Sequence, residues 1–223
     1  MRHPPYLALP NLADLREAAP MRQDPQSDAF RFFEIGGWFD QRFGPKAGRR
    51  YPTMKSALGL FLQWGGQSIV ETGTQRQEND WGAGCSTLIF AETLHHHQRG
   101  HLWSVDISAA NIAVSRRVTA HVGERVTHVV SDSLAWLGGF EKGIDLLYLD
   151  SYDWEPNEPQ LGECQRHQLA ELRAAWPRLG DKSIVLLDDN NLAGGGKTQL
   201  AKEFLLVQGW TCVLDFEQSL WIP

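Results

Sequence analysis

Residues 183–198 read SIVLLDDNNLAGGGKT, and the stretch admits two readings. Its head is a continuous apolar run closed by Asp188, Asp189 and Asn190, the form of a buried strand that ends in a cation site. Its tail, Gly194 to Thr198, has the form of a phosphate cradle. Such a cradle needs G-x-x-x-x-G-K-[ST] between a strand and a helix. Gly196, Lys197 and Thr198 supply the end of that pattern, but Asn191 stands where the leading glycine belongs. Only about 25 residues follow, whereas such loops generally follow the first core strand. Two carboxylates at the strand exit also repel phosphate. A glycine-rich turn passing close over the sheet edge, or a lip over a site, with Lys197 opening the next helix, fits better. A nucleotide-dependent phosphotransferase using Lys197 is the weaker rival.

Working outward from this strand, similar runs recur. QSIVETGT (67–74), HLWSVDIS (101–108), VTHVVSDS (126–133) and IDLLYLDSYD (144–153) each read as a strand that ends near an acid. Helical stretches separate them: 85–98, 109–122, 134–140, 162–179 and 197–208. WTCVLDF (210–216) and QSLWIP (218–223) read as a closing hairpin. Alternation at this spacing predicts βαβ units, and wholly apolar strands predict a parallel sheet covered on both faces. The expected fold class is α/β, a doubly wound sheet whose ligands lie at the carboxyl ends of its strands. Glu71, Gly73, Asp106, Asp132, Asp150, Asp188 and Asp189 all fall at those ends.

Residues 1–64 lack strand alternation. DAFRFFEIGGWFDQRF (28–43) and TMKSALGLFLQWG (53–65) read as short amphipathic helices of an N-terminal cap, which is not an independent domain. The main domain then runs over 65–223. The 223 residues suffice for one full core, and 42% hydrophobic and 22% charged residues are ordinary for a globular chain. The net charge is −6 and no basic tract occurs, which argues against nucleic acid. No window approaches the ~18 apolar residues of a membrane span. The start shows no signal-peptide core, and three scattered cysteines predict reduced thiols in a cytoplasmic protein. The aromatic N-terminal segment suits a lid or the dimer surface of a homo-oligomer.

The ordered series Glu71-x-Gly73, Asp106, Asp132, Asp150 and Asp188-Asp189-Asn190 resembles the class I S-adenosylmethionine-dependent methyltransferases. The nearest groups are small-molecule O-methyltransferases of the catechol type and of the antibiotic-sugar type. The resemblance spans about residues 65–223. It implies a Rossmann-like, mostly parallel seven-stranded sheet with an antiparallel final strand. It also implies methyl transfer from S-adenosyl-L-methionine to a hydroxyl of a small-molecule acceptor, assisted by Mg²⁺. A catalytically altered binding protein of the same fold is the alternative.

Each position has a physical reading beside the resemblance. Gly73, followed by Thr74, lets the backbone turn where a side chain would block a ligand. Glu71 can accept from the amino group of the donor's methionine moiety. Asp106 can accept both ribose hydroxyls, or cap the helix beginning near Ser108. Asp132, with Ser133, can accept the adenine amino group, or cap a helix. Ser86 and Thr87 open a helix that can face the donor's carboxylate. The resemblance carries Mg²⁺ ligation onto Asp150, Asp189 and Asn190, with Asp188 competing with Asp189. Hard oxygen ligands suit that ion.

The general base is open between Asp153 and His167. Catechol-type enzymes carry a lysine where Asp153 stands. His167 shares a helix face with Glu163, or is a packing histidine. The loop 73–87 is longer than the family's, so its charged insert lines, gates or fills the pocket. His95, His96, His97 and His101 read as a solvated helix end rather than a metal site, since consecutive helical residues point apart.

Overall fold

The computed structural model describes residues 35–44, 46–82, 85–153 and 161–223. Seven strands form one sheet: β1 Ser68–Thr72, β2 His101–Asp106, β3 Val126–Val130, β4 Ile144–Leu149, β5 Leu179–Leu187, β6 Thr211–Asp215 and β7 Ser219–Ile222. Their order is β3-β2-β1-β4-β5-β7-β6. The first five pair in parallel, and β7 runs antiparallel between β5 and β6. The expected mostly parallel seven-stranded sheet with a reversed last strand is therefore observed. Chain order reverses direction at β1, with β2 on one side and β4 on the other, and a ligand crevice forms at such a switch.

Helices cover both faces. On one face α1 (Gly37–Phe43), α2 (Tyr51–Gln63) and α3 (Ser86–His96) share a core with Ile69, Leu102, Leu146, Ile184 and Leu220. Met54, Ala57, Leu58 and Phe61 of α2 follow the i, i+3, i+4, i+7 spacing of a buried stripe. The described part of the N-terminal cap thus belongs to the core over the sheet. On the opposite face α5 (Ser133–Gly139), α6 (Leu161–Ala175) and α7 (Gln199–Val207) pack over Val70, Leu147, Val185 and Trp221. The remaining helix, α4 (Ala109–Val118), starts at a Ser108 cap that accepts from the Asn111 amide at 3.3 Å.

Three boundaries differ from the sequence reading. α6 stops at Ala175 because Pro177 cannot continue the hydrogen-bond ladder, and a 3₁₀ turn, Trp176–Arg178, follows. β5 starts four residues earlier than expected, at Leu179. An irregularity in its pairing with β4 absorbs the polar run before Ser183. Lys197 does not open α7, which begins at Gln199. The expected helix over 28–43 lies partly outside the described residues. No described helix is long and apolar enough to cross a membrane.

Register aligns the strand exits. Thr72, Leu149 and Leu187 are paired partners on β1, β4 and β5, so the next residues, Gly73, Asp150 and Asp188, emerge side by side. Side chains alternate along a strand. Glu71, Ser104, Asp106, Tyr148, Asp150 and Asp188 share parity with Ile69, Leu102, Leu146 and Ile184, and so lie on the side of α2 and α3.

Candidate active site

A cavity of about 500 Å³ opens at the exits of β1, β2 and β4. Its wall includes Gly73, Asp106, Asp132, Ser133, Asp150 and His167. Gly73 has φ +79°, and a Cβ there would stand 2.3 Å from the carbonyl oxygen of Asp150. Only glycine allows the β1 loop to pass this close to the β4 loop.

Asp106 is nearly buried and accepts the backbone N–H of Thr74 at 3.1 Å and of Ser108 at 2.7 Å. The Asn111 side-chain amide lies 3.3 Å from both of its oxygens, a long contact. A carboxylate offers about four acceptor sites, and the two that the long Asn111 contacts take are the ones a ligand in the cavity can claim. Asp132 caps α5 by accepting from the Ala135 N–H at 2.9 Å, and it also lines the cavity. The helix cap read for it from sequence is therefore observed, at a residue that also lines the cavity.

Glu71 sits behind the wall. It is fully buried and accepts from the hydroxyls of Ser86, of Thr87 at 2.7 Å and of Ser104 at 2.7 Å. Burial pushes its pKa up to about 7 against the pull of these three donors. Thr74 joins the network through Thr87 at 3.2 Å and Ser104 at 2.8 Å. The hydroxyls of Ser86 and Thr87 therefore tie α3 to the sheet rather than reaching toward the cavity, although Ser86 also lines it.

His167 projects from α6 with Nε2 3.5 Å from Glu171 and 3.3 Å from the Ser133 hydroxyl. Glu171, one turn on, is fully buried and accepts from Ser151 at 2.6 Å. The bond to Glu171 raises the His167 pKa above its ordinary value, against the opposing effect of burial. The expected partner, Glu163, bonds Tyr152 instead, at 3.2 Å. Asp153 lies at the cavity edge, is exposed, and pairs with Arg76 of the long loop. Arg76, Gln77 and Asp80 line the cavity, so the described part of that loop forms wall and leaves the space open.

The four residues expected to bind Mg²⁺ are held otherwise. Asp150 and Asp189 do converge, but on the ammonium of Lys197, at 3.1 and 2.7 Å. Asp188 is fully buried and takes Arg50 Nε at 2.8 Å, together with the Tyr148 hydroxyl and the Gln218 amide at 3.2 Å. Burial opposes its charge, yet Arg50 holds its pKa below the usual carboxylate range. Burial and the neighbouring Asp188 charge push Asp150 upward. Asn190 turns away, donating to Asp215 and to the Phe216 carbonyl at 2.7 Å. The residues present do not fit a divalent ion, because a buried ammonium and a guanidinium already neutralise its ligands. Among the described residues, no group of three His, Cys, Asp or Glu is arranged to hold a metal.

A family model described as a methyltransferase domain matches residues 80–190, from the long loop through β5 to Asn190. Residues 80–190 carry a methyltransferase domain. The same architecture recurs in an SAH-bound methyltransferase of Podospora anserina, with a TM-score of 0.56 at 16% identity over 88% of this chain and 87% of that one. The calicheamicin methyltransferase CalS11 gives 0.54 at 15% identity, covering 76% of each chain. Human methyltransferase-like protein 13, solved with SAH, gives 0.53 at 16% identity over 78% of this chain and 81% of its own. At these identities the structures share a fold with the methyltransferase domain. No curated protein matches its sequence.

Sequence reasoning missed Arg50, Tyr148 and Glu171, and it took Lys197 as the opening of the next helix, not as a partner of the strand-exit acids. The strand parity of Tyr148 with Asp150 was a signal for one of them. The i, i+4 spacing of Glu171 from His167 was a signal for another, and nothing local marked Arg50.

Proposed function

We propose that the chain transfers a methyl group from S-adenosylmethionine to a hydroxyl of a small molecule. The observation that carries this is the cavity at the switch point, whose volume lies within the roughly 300–1,000 Å³ of small-molecule sites. Asp106, at the end of β2, is assigned the ribose hydroxyls, since a diol can displace the long Asn111 contact. Asp132 and Ser133 are assigned the adenine edge, and Gly73, Thr74 and Asp150 the methionine portion. Glu71, Ser86 and Thr87 support that wall from behind.

Bound S-adenosylmethionine supplies an electrophilic methyl group on a sulfonium. An acceptor oxygen held in line would take that methyl group, with the carbon–sulfur bond breaking and the donor left as a neutral thioether. The acceptor's proton goes to His167. With Nε2–H donated to Glu171, the imidazole lone pair lies on Nδ1, and that nitrogen is the base. Asp153, paired with Arg76, is assigned to the rim and to acceptor recognition. No divalent cation takes part.

The test is a thermal-shift series with S-adenosylmethionine, SAH and ATP, followed by mass spectrometry of a panel of phenols and sugars incubated with the donor. The proposal expects stabilisation by the first two ligands, none by ATP, and a 14 Da gain on a hydroxyl, the mass of one CH₂ (~14 Da). His167→Asn should cut turnover by roughly 10²- to 10⁴-fold. A base works only when deprotonated, so the wild-type rate should climb with pH through a value above 6.5, and that limb should vanish in the variant. Methylation of nitrogen or carbon alone, or no donor binding, overturns the proposal.

A further inference from the structure

Three carboxylates meet at the exits of β4 and β5, and their mutual repulsion must be relieved. A divalent ion is one solution. This chain contains another. Lys197, whose side chain is 1% exposed, puts its ammonium between Asp150 and Asp189. Arg50, 14% exposed, lies on Asp188 and reaches Asp189 at 3.6 Å through its second nitrogen.

The loop that delivers Lys197 is built for this purpose. Gly194, Gly195 and Gly196 all have positive φ, at +69°, +86° and +63°. A Cβ on Gly196 would stand 2.0 Å from the carbonyl oxygen of Asp189, so the chain can fold back over that strand end only with glycine there. The Lys197 N–H then bonds the Asp189 carbonyl at 3.1 Å, and the Thr198 hydroxyl bonds Asn190 Oδ1 at 2.7 Å. The loop is anchored to the strand end that its lysine neutralises. This accounts for the Gly-Gly-Gly-Lys-Thr run, which donor binding leaves unexplained, and for an Asn190 amide that faces away from Asp150.

We infer that Lys197, seconded by Arg50, is a built-in replacement for a divalent cation: the site needs no metal, and removing the ammonium opens a Mg²⁺ site on Asp150 and Asp189. The inference rests on the methyl-transfer reading for the meaning of the cavity, while its test reads metal binding alone. It has a chemical consequence. An acceptor hydroxyl that meets no Lewis acid keeps its ordinary pKa, so its proton needs a side-chain base such as His167.

The experiment is a Mg²⁺ and Mn²⁺ titration of EDTA-treated full chain, read by melting temperature and by calorimetry, without donor. Wild type should show no saturable response. Lys197→Ala should gain one, with a rise of roughly 3 °C or more at about tenfold excess over the dissociation constant. Adding Asp189→Asn to that variant should abolish the gain. Saturable wild-type binding that Asp189→Asn removes overturns the inference, as does a folded Lys197→Ala chain that takes no metal. Should Lys197→Ala not fold, Lys197→Ser, which keeps the site small and polar, carries the same two outcomes, and the wild-type titration decides if neither folds. SAH binding, measured separately on wild type, tells failure of this inference from failure of the methyl-transfer reading.

Discussion

The two halves of the strand-exit rim use acids in opposite ways. At β2 and β3, Asp106 and Asp132 are held by backbone N–H groups, with a long Asn111 side-chain contact on Asp106, and both line the cavity. At β4 and β5, Asp150, Asp188 and Asp189 are met by cations of the chain itself. Acids in the same position on a sheet therefore serve a ligand or the fold according to what the flanking segments deliver. The first half has short local turns above it. The second half lies under Arg50 from the cap and Lys197 from the loop before α7.

The contrast can be broken most forcefully at Asp188. Asp188→Ala strands a mostly buried guanidinium and should cost about 3–5 kcal/mol of unfolding free energy in urea. A loss under about 1 kcal/mol would mean that Arg50 escapes to solvent and that the buried pairing is not what holds this half together.

Glu71 sharpens the comparison, since it is an acid held by hydroxyls alone. Its pKa is about 7 in the folded chain against an ordinary 4.5. The native state therefore binds the extra proton between those values. That contribution is complete below pH 4.5 and is lost as pH rises through 7, by about 3 kcal/mol. Glu71→Gln should remove that slope from stability-versus-pH curves, and an unchanged slope counts against the network.

The smallest effect is expected at the rim. Arg76 and Asp153 are 45% and 61% exposed, so Arg76→Ala or Asp153→Ala should shift stability by less than about 1 kcal/mol in the same urea assay. A larger loss would move this pair from the rim into the packed structure.

The sheet was legible because its strands are continuous apolar runs with turns at regular spacing. The order of strands and the reversed β7 followed from the resemblance. The convergence of Asp150 and Asp189 was legible as well, since adjacent strands bring consecutive exits together. What they converge on was not. Arg50 is 138 positions from Asp188, so no local pattern joins them, whereas Lys197 lies 47 positions from Asp150 but within the same stretch as Asp189, where its reading as a helix start hid the pairing. The hydroxyl partners of Glu71 were missed for a different reason. Period-two alternation gives it the parity of Ile69, toward the core on the α2 and α3 side, and its carboxylate finds hydroxyls there before it finds a ligand. The end of α6 was legible in Pro177, but the early start of β5 was hidden by the polar run that its irregular pairing absorbs.

The most direct test of the central claim is calorimetric titration of SAH into EDTA-treated wild-type chain and into Asp106→Ala. The account predicts saturable binding, near one ligand per chain, to wild type without metal. It predicts affinity weakened by roughly ten- to a hundredfold in the variant, the worth of charge-assisted bonds to a diol. No binding to wild type, or equal affinity in both chains, would contradict it.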